Sequence, residues 1–198
     1  MPAIAPQIRA RTDVDALLDA ACVEFAEQGY HRTTMASIAR RAQSSKPTLY
    51  AHLGSKDALH HVVLDREAAR CRQWLFARYE AATDLPLAEQ VTANVLALFD
   101  YVTAHPDGFQ LLFGSDNTGA ALEVRQALLD TIGARIVELL RTFQVRHEGR
   151  ARKTNQQLAE TLVGIAVTGA QFATKTNTSL ERAGQMASRI CVGALTNL

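Results

Sequence analysis

A chain of 198 residues with 47% hydrophobic and 21% charged residues is long and apolar enough for a globular protein with a sizeable core. A net charge of +1 excludes a polyanion-binding protein recognisable by bulk charge alone. No run of about 18 apolar residues predicts a membrane-spanning helix, and the opening MPAIAPQIRARTD has no signal-peptide core.

Residues 1–10 read as a loose, proline-containing tail. The spacing of Val14, Leu17, Leu18, Ala21, Cys22 and Phe25 then predicts a helix from about Thr12 to Gln28, with Thr12 as candidate N-cap and Gly29 as its stop. Residues 31–56, HRTTMASIARRAQSSKPTLYAHLGSK, hold Arg32, Arg40, Arg41, Lys46 and Lys56 and no Asp or Glu. Thr33 and Thr34 are N-cap types ahead of Met35, Ile38, Ala39 and Ala42 at helical spacing. Gln43-Ser44-Ser45 breaks the run. Ser45 is a second N-cap, Pro47 falls in the first turn, and Gly54 ends the helix. Leu49 and Leu53 face inward, which leaves Thr48, Tyr50, Ala51 and His52 outside. Two short helices around a tight turn, the second polar and basic, describe a helix-turn-helix.

The spacing next predicts a long helix from Lys56 to about Ala82, of roughly 39 Å, ended by Asp84-Leu85-Pro86. Further helices follow at about Leu87–Ala104, Phe109–Phe113 and 120–146, with His105-Pro106-Asp107-Gly108 as turn chemistry. Residues 147–155 form a basic loop. The last two helices span about Asn155–Thr174 and Leu180–Thr196. No period-2 strand stands out. The expected fold is all-α, about nine helices: an N-terminal three-helix helix-turn-helix unit and a C-terminal helical domain, divided as 1–55 and 56–198.

Charge supports that division. Residues 1–56 carry seven Lys/Arg against five Asp/Glu, and the remainder 14 against 15. All five acids of the first part precede the basic window. The window is either a solvated charged face or a nucleic-acid surface, and the helix-turn-helix pattern favours the second.

SSKPTLYAHLGSK resembles the recognition-helix segment of TetR-type transcriptional regulators, and Pro-Thr-Leu-Tyr-x-His is similar to that segment of the tetracycline repressor. The motif covers roughly residues 10–60. The chain departs from the family pattern at Gln43, where glycine is frequent, at Leu53, where an aromatic is usual, and at Ala51, which is small. The resemblance implies a homodimeric repressor paired through its last two helices. It would bind double-stranded DNA at a palindromic operator and leave it when an unknown small-molecule effector binds the C-terminal domain. By resemblance, Thr34, Lys46, Thr48, Tyr50, His52 and Lys56 match DNA-contacting positions.

The chemistry of those residues fits. Lys56 and Tyr50 suit phosphates, Thr34 and Thr48 suit phosphates or base edges, Lys46 and His52 suit base edges, and Pro47 suits a thymine methyl. Arg40 and Arg41 read equally as solvated or bound. Trp74, Phe99, His105, Phe109, Phe113, Phe143 and Gln171 are candidate effector-pocket residues, with plain core as the competing reading. The small and apolar residues of the last two helices suit either interior core or a dimer surface. Asp57, His61 and Asp65 share one helix face, which reads as a polar face rather than a metal site. No triad, phosphate loop or carboxylate pair stands out. Three widely spaced cysteines read as reduced thiols. The expectation is therefore a cytoplasmic protein without enzymatic activity, cofactor or metal. The alternative is an all-α small-molecule-binding or enzymatic bundle with an incidental basic surface.

Overall fold

The computed structural model describes residues 5–115, 117–148 and 154–196. Among these residues there are nine helices and no strand. They are α1 (Ala5–Gln28), α2 (Met35–Arg41), α3 (Lys46–Leu53), α4 (Lys56–Ala81), α5 (Leu87–Ala104), α6 (Pro106–Phe113), α7 (Gly119–Glu148), α8 (Asn155–Thr176) and α9 (Leu180–Thr196). The all-α expectation holds, and α5 and α9 begin and end where their spacing placed them.

Two helix starts differ clearly. Helix α1 begins at Ala5, so the expected tail is helical from there and Thr12 is not a cap. Pro6 lies in its first turn, where a missing N–H removes no intrahelical bond. Helix α6 begins at Pro106, not Phe109, for the same reason, and Asp107 in its first turn complements the helix dipole. The basic loop expected at 147–155 falls largely on 149–153, outside the described residues.

The chain divides into two compact units. The first runs to Glu67 and includes Asp107–Val124; the second is Ala68–Pro106 with Arg125–Leu198. In the first, α1 packs on α2 and α2 on α3. Its core holds Leu17, Ala21 and Phe25 of α1, Met35 and Ile38 of α2, and Leu49 of α3. Arg66 of α4 is ion-paired with Asp19 on α1 at 2.8 Å and with the buried Glu67 at 2.9 Å. In the second unit α5, α8 and α9 pack together. Glycines set the spacing: a Cβ on Gly184 would meet Leu96 Cδ2 and Phe99 Cγ at 3.0 Å, and one on Gly169 would meet Phe99 Cζ at 3.5 Å. Gln144 and Asn155 exchange amide hydrogen bonds of 3.0 and 2.8 Å, joining the end of α7 to the start of α8. No described helix is long and apolar enough to cross a membrane.

Candidate nucleic-acid interface

Local chemistry builds each end of the two short helices. Thr34 is the N-cap of α2, with an extended backbone. Its hydroxyl accepts from the Ser37 N–H at 3.1 Å, and its own N–H donates to Ser37 Oγ at 3.2 Å. This reciprocal box contributes about 1 kcal/mol. Thr33 is buried instead, donating to the carbonyls of Glu24 (3.0 Å) and Gly29 (2.9 Å). The turn between the helices puts Gln43 at φ +50°, a left-handed conformation that explains why glycine is at home there.

Ser45 caps α3 through the Thr48 N–H at 3.2 Å, and its hydroxyl also bonds that of Thr48 at 2.8 Å. Pro47 sits in the first turn of α3, and Gly54, at φ +70°, ends the helix. Leu49 is fully buried, while Tyr50 is 54% exposed. Lys46, Pro47, Ala51 and His52 are exposed and Thr48 is half-buried. The expected division of α3 into an inner and an outer side is therefore present, with Leu53 half-buried at its end. The outer side gathers a cation, an imidazole, a phenol, a hydroxyl and a small apolar ring over two helical turns.

Lys56 is half-buried, as Thr48 is, but differs from the other six candidates in lying at the start of α4 with its head group turned onto the loop before α2. Its ammonium donates to the carbonyls of Tyr30 (3.1 Å) and Thr33 (3.2 Å) and lies 4.1 Å from the centre of the Tyr30 ring.

Arg41 is exposed but is likewise engaged within the protein. Its guanidinium bonds Glu24 at 2.8 Å and also Glu27, which ties α2 to α1. Arg40 is exposed. Burial disfavours the Glu24 carboxylate, but hydrogen bonds from Arg41 and Ser37 and the charges of Arg41 and Arg40 outweigh it, leaving its pKa below the ordinary carboxylate value. A depressed folded-state pKa gives stability that is complete above the unfolded-state value. It is lost as pH falls through the folded-state one. Glu24→Gln is therefore expected to lower thermal stability at neutral pH and to flatten its decline in acid. Melting curves across acidic pH check this; parallel profiles for variant and wild type would remove the pair from the acid response.

Tyr30, Thr33 and Glu24 support this surface but do not figure among the DNA-contacting residues expected from the pattern, and Arg41 figures there only as a cation read equally as solvated or bound. Their partners lie up to 27 positions away. The local signals were the N-cap residue type of Thr33 and the charge of Arg41.

The candidate pocket residues divide between the units. Phe109 and Phe113 belong to the first, are buried, and pack with ring centres 5.1 Å apart. The other five belong to the second. Phe99 is core there, seated against Gly169 and Gly184. Trp74 donates its indole N–H to Ala97 O at 3.0 Å, meets His105 edge-on at 5.4 Å, and carries the Arg78 guanidinium 3.6 Å over its ring. Phe143 and Gln171 are half-buried on α7 and α8. A separate groove of about 410 Å³ lies between α7 and α8, with Leu129, Val163 and Val167 along it and Asp130 and Glu160 at its sides. None of the seven expected residues lines it.

The exposed basic segment falls within the stretch matched by a family model. Residues 17–63 match the model described as bacterial regulatory proteins, tetR family. The chain is 30% identical over 156 residues to the HTH-type transcriptional activator FasR of Mycolicibacterium smegmatis, covering 79% of this chain and 69% of that protein. It is 28% identical over 148 residues to the HTH-type transcriptional repressor ComR of Escherichia coli, covering 75% of this chain and 64% of that one. The solved structure of a TetR-like transcriptional regulator from Rhodococcus sp. RHA1 is similar throughout, with a TM-score of 0.76 at 25% identity over 94% of this chain and 97% of that chain.

Proposed function

The chain belongs to the tetR family of bacterial regulatory proteins and is a DNA-binding transcriptional regulator; from that premise we propose that it is a ligand-responsive, homodimeric repressor released from a palindromic operator by a small molecule. The observation that carries the DNA-binding half is the outer side of α3, where Lys46, Pro47, Tyr50 and His52 stand exposed in a window free of carboxylates. Two such helices, one from each protomer, would enter successive major grooves about 34–36 Å apart.

Within each protomer, Thr34, Thr48 and Tyr50 are assigned to phosphates and sugar, where hydroxyl donors serve for any sequence. Lys46 and His52 are assigned to base edges and Pro47 to a thymine methyl. Residues 1–55 are assigned to DNA and 56–198 to effector binding and dimerisation. The effector site is assigned to the second unit. There the half-buried Trp74 and His105 offer an aromatic face and an imidazole, while Phe143 and Gln171 are also only partly covered. Dimerisation is assigned to α8 and α9, where Phe172, Met186 and Ile190 remain exposed.

Selection of bound fragments from random DNA, followed by retardation of the selected duplex over a range of salt, tests the reading. The expected result is a palindromic site whose binding weakens steeply with salt. A wild-type protein that retards no duplex even at low salt would overturn it and favour the incidental-surface bundle.

A further inference from the structure

The first turn of α4 holds the loop that leads into α2. Tyr30, at the start of that loop, is gripped on three sides. Its hydroxyl donates to Asp57 Oδ1. Its carbonyl accepts from Lys56 Nζ at 3.1 Å, and its ring carries the same ammonium 4.1 Å from its centre. The ring also meets that of His60, one turn further along α4, at 4.8 Å. The far end of the loop is held as well, because Lys56 Nζ reaches Thr33 O at 3.2 Å. Thr33 is joined by a peptide bond to Thr34, the exposed N-cap of α2.

An ammonium has three N–H donors. Two of those on Lys56 are taken by carbonyls, and the ring lies against the cation. A lysine whose main task was a phosphate would extend into solvent. This one is half-buried across the loop. Bonds from an ionised donor are stronger than neutral ones, so the clamp fixes where α2 begins relative to α4.

We propose that Lys56 and Asp57 are positioning residues for DNA recognition, acting through Tyr30 to make the start of α2 follow the first turn of α4. The inference rests on the DNA-binding reading above and adds a route to it. Helix α4 runs on along the chain into the second unit. A change in its first turn would therefore reach Thr34 through the Tyr30 clamp and α3 through Gly54 and Ser55.

The test uses the full-length protein with two probes: the duplex that the wild type selects from random DNA, and an unrelated duplex of equal length. Tyr30→Phe removes one oxygen and Lys56→Met removes the charge but keeps most of the stem. Each is expected to weaken the selected duplex about tenfold, the effect of losing roughly one hydrogen bond to a charged group. The unrelated duplex should change less than about twofold, and the salt slope should be unchanged. Lys56→Arg, which can still donate to both carbonyls, should restore most of the loss. Faster amide exchange at Ile38 in Tyr30→Phe would support the clamp without reference to DNA. Two outcomes overturn the proposal. One is equal weakening of both duplexes by Lys56→Met with a slope shallower by about one unit, the mark of a direct phosphate contact. The other is wild-type binding by Tyr30→Phe, which decides the matter even if Lys56→Met does not fold. A wild type that selects no duplex from random DNA refutes the DNA-binding reading itself, a separate failure.

Discussion

Leu49→Ala is expected to destabilise the first unit by about 2–5 kcal/mol and to abolish specific DNA binding. Leu49 is fully buried, so the truncated methyls leave a cavity as well as lost transfer energy. Helix α3 has only eight residues, too few to persist without tertiary packing. The caps at Ser45 and Gly54 set its ends, but α2 is the element it packs on. Losing the anchor frees the outer side, and Lys46, Pro47, Tyr50 and His52 lose their common orientation. Urea unfolding followed by amide exchange in α2 and α3 measures the effect. A loss below about 1 kcal/mol, in the range typical of an ordinary substitution, would show that another contact anchors α3. Ala51→Ser is the contrasting control: the site is exposed on the same helix, and stability should change by no more than about 0.5 kcal/mol.

The same helix shows how much of the molecule is legible in its sequence. Leu49 inside and Tyr50 outside follow from helical spacing and from the residue types themselves. So do the caps at Thr34, Ser45 and Gly54 and the ends of α5 and α9. These are local properties, decided within one or two turns. Lys56 and Arg41 read as cations of a basic window, because charge is all that a local reading assigns to them. Their actual partners, Tyr30 and Thr33 for one, Glu24 and Glu27 for the other, depend on where the loop before α2 meets the start of α4 and on how α2 packs on α1. The aromatic residues of the C-terminal part fail in another way. A ring at helical spacing looks the same whether it fills a core or lines a site. Phe99 is core because Gly169 and Gly184, 70 and 85 positions along, leave room for its ring. The final helices resolve into two faces. Ala166, Ala170, Ala187 and Cys191 are buried, whereas Phe172, Met186 and Ile190 are exposed.

That exposed face carries the second large effect. Met186 and Ile190 are 62% and 46% exposed and four residues apart, so they form one stripe on α9. Ala187 and Cys191, on the other face, are buried. The double substitution Met186→Glu, Ile190→Glu should leave the protomer intact, because exposed positions tolerate charge within about 0.5 kcal/mol. In the proposed dimer it would place unpaired carboxylates where apolar side chains each contribute about 1.5–3 kcal/mol by burial. Sedimentation at micromolar concentration is expected to show a monomer with unchanged helicity and melting. Affinity for the full palindrome should fall by about 10²–10⁴, since the second half-site would no longer bind at the high effective concentration of a linked partner. Affinity for an isolated half-site should not change, because the α3 surface is untouched. This last measurement separates a broken dimer from a damaged DNA-binding unit. A variant that remains dimeric and binds the palindrome as the wild type does would move the seam away from this stripe of α9.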